Sequence, residues 1–164
     1  NYELAKRAGQ SVGPSNLAET ERQTYFTTLK LLGEEALAAG DTEAAIENFR
    51  LYQESEYAGL GTLRILADLY EQKGDALAAA RTTDRALQYN SSDADLLARK
   101  GKYYFSIDPE QLQARVEQYG PGFDVAYCLQ ESNTILDKYH ELEWLEVADH
   151  LSKLALIVQP QSLE

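Results

Sequence analysis

Residues 66–87 read LADLYEQKGDALAAARTTDRAL, and thirty-four residues upstream residues 32–52 read LGEEALAAGDTEAAIENFRLY. Both stretches carry a small residue after a Leu, then Gly-Asp, then Ala four residues after the Asp. Gly40 and Gly74 suit a left-handed residue that closes one helix. Asp41 and Asp75 suit the N-cap of a second helix, accepting its orphan amides. A unit written twice at an interval of 20 to 50 residues indicates stacked supersecondary units.

The register extends position by position. In residues 26–59 the small and large positions are Leu29, Leu32, Gly33, Ala36, Ala45, Phe49 and Tyr52. In residues 60–93 they are Leu63, Leu66, Ala67, Tyr70, Ala79, Thr83 and Ala86. Small residues at Gly33, Ala45, Ala67 and Ala79 let two helices cross closely, because a bulky side chain forces such a pair apart. Phe49 and Tyr70 are large and fill the space between neighbours. This 34-residue helix–turn–helix pattern resembles the tetratricopeptide repeat family. The resemblance implies an all-α fold, a right-handed superhelical stack of antiparallel helix pairs, or α-solenoid.

A third unit, residues 94–128, is irregular. Leu97, Gly101 and Tyr104 hold first-helix positions, the turn shortens to Ile107-Asp108-Pro109, and Asp108 is placed to cap the next helix. Leu112 stands where the family has a small residue, so this pair is expected to sit further apart or at a different angle. Gly120-Pro121-Gly122 is expected to break the chain. Residues 129–164 form a fourth, degenerate, capping unit. Its helical periodicity is predicted over 124–138 and 141–158, with Ala148, Ala155 and Pro160 at family spacing. Residues 1–25 are a helical extension: a short helix over 2–9, an interruption at Gly13-Pro14-Ser15, and a cap at Ser15 or Asn16 with Glu19 in capping-box position. All of these are expected to form one solenoid domain.

Composition bounds the function. With 164 residues, 44% hydrophobic, the chain suits one domain with a real core. No apolar run reaches membrane-spanning length, and no signal peptide is visible. The chain contains no Met, so it is expected to be a piece of a longer protein. The single Cys128 cannot form an internal disulfide, which fits a reducing compartment and favours a cytoplasmic setting. The net charge of −12 opposes binding to a phosphate backbone or an anionic bilayer. Charge is uneven: residues 26–59 and 129–164 each carry seven acids and two bases, whereas residues 60–128 carry ten acids and eight bases. An acidic patch on a partner is therefore expected to prefer the middle of the chain, and a basic partner the ends.

No enzyme constellation appears. His140 and His150 lack zinc-helix spacing, and Gly59-Leu60-Gly61 lacks the third Gly and the strand of a dinucleotide loop. Cys128 lies among apolar residues and reads as a buried structural thiol. Glu141, Glu143, Glu146 and Asp149 read as a solvated helix face. Asn90-Ser91-Ser92 fits a glycosylation sequon that matters only in a secretory setting. Neither cofactor nor metal is expected.

The resemblance implies that first helices line a concave face that binds a peptide or protein segment. The contact residues it implies are Lys30, Glu34, Arg64, Asp68, Glu71, Arg99, Lys102 and Phe105. Arg64, Arg99 and Lys102 are suited to carboxylates. Of the consecutive aromatics Tyr103, Tyr104 and Phe105, Tyr104 holds the core position, and Tyr103 or Phe105 is the candidate contact. The chaperone-tail clamp of one family subgroup is not matched, since Glu34, Ile65 and Asp95 replace its required residues. The expected function is a non-catalytic protein-interaction module. The alternative is an appendage docking onto its own parent chain, such as a kinase or transferase domain.

Overall fold

Gly40 and Gly74 adopt φ of 75° and 78°, a region that a residue without a Cβ enters unstrained. At Gly40 the result is a Schellman turn: the Gly40 amide donates to Leu37 O at 3.1 Å and the Asp41 amide to Ala36 O at 2.9 Å. Asp41 then turns outward as an N-cap, its Oδ1 accepting the Ala44 amide at 3.0 Å. Asp75 repeats this on the Ala78 amide at 3.0 Å. Asp93 accepts from Leu96 at 3.1 Å, and Asp108 from Glu110 at 2.9 Å. Each carboxylate satisfies an amide that a helix start leaves unpaired.

The computed structural model describes residues 2–119, 124–139 and 141–158. Among them are nine α-helices and no strand: α1 (Tyr2–Val12), α2 (Glu19–Ala38), α3 (Thr42–Tyr52), α4 (Leu60–Lys73), α5 (Ala76–Leu87), α6 (Ala94–Phe105), α7 (Pro109–Tyr119), α8 (Asp124–Lys138) and α9 (Leu142–Val158). The fold is all-α. Gly120-Pro121-Gly122, His140 and Pro160 lie outside the described residues. The chain divides into two compact units, Asn1–Lys73 and Gly74–Glu164.

In the first unit α2 and α3 form a tightly packed helical hairpin. Gly33 and Ala45 are buried at their contact, and the Phe49 ring lies where a Gly33 side chain would project. Tyr25, Phe26, Leu29, Tyr52 and Ala58 make one apolar cluster. Helix α1 packs on α2 with Gly9 against the Tyr25 ring. The Lys6 ammonium reaches Glu47 on α3 at 2.8 Å. Helix α4 packs on α3, and Lys73 meets Glu43 at 2.7 Å.

The start of α2 differs from the sequence expectation. Pro14–Asn16 forms a 3-10 turn, and the Asn16 amide nitrogen donates back to Val12 O at 2.9 Å. That bond ties Asn16 to the end of α1, so Ala18 becomes the boundary of α2, and Glu21 Oε2 accepts its amide at 3.1 Å. The first helix also runs three residues beyond Gly9, to Val12.

In the second unit α5 pairs with α6 and α8 with α9. Small side chains permit the α8–α9 approach: Ser132, Ala148 and Ala155 are all buried, and Ser132 Oγ donates to Ala148 O at 2.8 Å. Helix α6 also packs on α9, while α7 packs on α8 and α9. Leu112 of α7 is buried, and α7 packs on the last helix pair. Asp124, buried at the start of α8, is held by Arg81 at 2.8 Å and by Arg115 Nε at 2.9 Å.

Candidate functional site

Helix α6, ADLLARKGKYYF, carries two different faces. Ala94, Leu97, Ala98, Gly101, Lys102 and Phe105 recur at three- and four-residue steps and so share one stripe. Leu96, Lys100 and Tyr103 fall on the other side, with Tyr104 at the margin between the two. Both faces carry chemistry.

The first stripe borders a groove of about 570 Å³ whose other wall is the start of α9, with Glu143, Trp144, Glu146 and Val147. This volume is within the usual range for ligand clefts, about 300–1,000 Å³. Gly101 forms its floor: a Cβ there would meet only Trp144 Cη2, at 3.8 Å. Trp144 is steadied by stacking on Tyr139, with ring centroids 4.7 Å apart. Phe105 is 49% exposed, although its ring also contacts His150 at 5.6 Å. An exposed aromatic beside an open cleft is a ready contact for a partner side chain.

The second face carries a partly buried ionic cluster. Lys100 Nζ lies 2.5 Å from Asp84 Oδ1 and 2.8 Å from Glu131 Oε2. Tyr104 donates to Glu131 at 2.9 Å, and Tyr127 donates to Asp84. One cation thus serves two carboxylates. Burial raises the Asp84 carboxyl above its ordinary range, Lys100 opposes the rise, and the Glu131 charge adds to it. Burial works to lower the Lys100 pKa, yet Asp84 and Glu131 hold it above its usual value. Burial, followed by the Asp84 charge, also pushes both tyrosine hydroxyls upward, so they stay protonated donors.

The sequence-derived contact residues fall in both units. Lys30 and Glu34 lie on α2, their charged atoms 3.7 Å apart. Arg64, Asp68 and Glu71 lie on α4. On α6, Lys102 and Phe105 come together on the groove, while Arg99 stands off it beside Asp95 at 3.4 Å. Of the two aromatics that flank Tyr104, Tyr103 is buried at 2% exposure and Phe105 is exposed. Sequence reasoning missed Gly101 and Leu97 as groove residues because both also fit core positions of the repeat. The signal that marks them is the run of small residues Ala94, Ala98 and Gly101 on one helix face. The Asp84–Lys100–Glu131 cluster was also missed, because these charges are far apart in sequence and each looks like a surface residue.

Cys128 is fully buried, and burial pushes its thiol up to about 11. Among the described residues no cluster of His, Cys, Asp and Glu is placed to hold a metal ion, and no helix is long and apolar enough to cross a membrane. Comparison with protein-family models, with curated proteins and with solved structures finds no match to this chain.

Proposed function

We propose that this chain is a non-catalytic interaction module of tetratricopeptide type that binds a segment of another polypeptide in the groove between α6 and α9. The observation that carries this reading is the single stripe of α6 that puts the half-exposed Phe105 and the small Gly101 opposite Trp144. Such a cleft can desolvate one large side chain, and buried anchors of that kind supply much of the affinity at interfaces. Lys102, Glu143 and Glu146 at its edges supply charge for orientation. The repeat assignment draws on the 34-residue spacing of the two Gly-Asp turns and on their matching caps. Lys30, Glu34, Arg64, Asp68 and Glu71 are candidate contacts of the first unit by their repeat positions.

Random-peptide phage display on the immobilised protein tests this function. The expected result is a recurring peptide motif whose binding falls when Phe105→Ser or Gly101→Leu is introduced, with circular dichroism unchanged. Peptides that bind both variants as well as the parent chain would place the site elsewhere and overturn the assignment.

A further inference from the structure

The α6–α9 groove combines an apolar floor with an acidic edge. Leu97, Ala98, Gly101 and Val147 offer no polar side chain to an occupant, and Trp144 and Phe105 stand at its sides. Along the α9 edge, Glu143 and Glu146 are both exposed, and no ion pair engages either of them among the described residues. Across the groove stands Lys102, the cation among its described lining residues. The surrounding unit, Gly74–Glu164, holds fifteen acidic and eight basic side chains. A carboxylate pair on a groove edge, within an acidic field, attracts cations and repels acids. A second copy of this chain is a poor occupant, since each copy carries −12.

We propose that the groove selects a segment of a partner protein bearing one large apolar or aromatic anchor flanked by lysine or arginine. The anchor enters between Trp144 and Phe105 over Gly101, and the flanking cations meet Glu143 and Glu146. This rests on the groove being a polypeptide site, and it narrows the partner to a basic segment despite the relatively basic middle of the chain.

The probes are three fluorescein-labelled synthetic peptides with a common leucine–tryptophan core, flanked by lysines, by serines or by glutamates. Binding is followed by fluorescence anisotropy at two salt concentrations. Two variants carry the test. Gly101→Leu fills the groove floor, where the space above the glycine is open up to Trp144. Glu143→Gln with Glu146→Gln removes edge charge at exposed positions.

The expected result is that the lysine-flanked peptide binds tightest and loses about tenfold or more in Gly101→Leu, as loss of a buried anchor contact does. The double glutamine variant should weaken the lysine-flanked peptide several-fold and leave the serine-flanked one unchanged. If the glutamate-flanked peptide binds best and is lost in Gly101→Leu, the basic partner is overturned while the groove assignment stands. If Gly101→Leu affects no peptide, or none binds, both are overturned.

Discussion

Gly33 of α2 lies directly against the ring of Phe49 on α3, where an added Cβ would sit 2.7 Å from Phe49 Cε1. Carbon atoms do not pack so closely, so the ring or the helix must move. Gly33→Ala is therefore expected to destabilise the protein by roughly 1–2 kcal/mol, as overpacking outweighs the better helix propensity of Ala. Urea denaturation measures it; a midpoint that rises would contradict the close α2–α3 approach.

Lys100 is the ion-pair partner shared by two partly buried carboxylates, Asp84 and Glu131. Lys100→Met should cost about 3–5 kcal/mol at neutral pH, because Asp84 and Glu131 are left partly buried without a cation. The pH dependence has a definite sign. The folded-state pKa of Asp84 is raised above its ordinary value. Acidification therefore strengthens the folded state as the pH falls through the raised value, and the gain is complete below the ordinary aspartate range. Loss of Lys100 raises it further, so the deficit of the variant should shrink between pH 7 and pH 4. Equal deficits at both pH values would show that the cluster is not ionised as described.

Asp41 caps the start of α3, accepting the Ala44 amide. Asp41→Ala should cost about 1 kcal/mol, whereas Asp41→Asn, which keeps an acceptor oxygen, should cost much less. Matching losses for the two variants, read by thermal denaturation, would argue against the cap.

Ala79 is completely buried in α5. Ala79→Leu should destabilise by about 1–3 kcal/mol through overpacking. An unchanged melting temperature would mean that the helix has free space beside it.

The punctuation of the fold is legible in the sequence because it depends on local chemistry. Gly40 and Gly74 act through a positive φ, and Asp41, Asp75 and Asp108 through bonds to residues a few positions away, so their types alone announce helix ends. The burial of Tyr104, Ala45 and Cys128 follows from helical periodicity in the same way. The start of α2 is less legible: Ser15 and Asn16 are good caps by type, but the Asn16 side chain is already bonded to Val12 O. The groove and the partly buried cluster depend on long-range placement. Nothing around Gly101 in the sequence announces Trp144, and nothing near Asp84 announces Glu131. Those contacts arise because α6 packs on α9 and because the Lys100 side chain bridges from α6 to Asp84 of α5 and Glu131 of α8.

Cys128 gives the second unit a built-in clock. Its sulfur is fully enclosed and its thiol is held protonated at neutral pH, so an alkylating reagent can reach it only during an excursion in which α8 comes loose. The rate at which the native protein takes up such a reagent thus counts those excursions, with no probe added and no second thiol to confuse the signal.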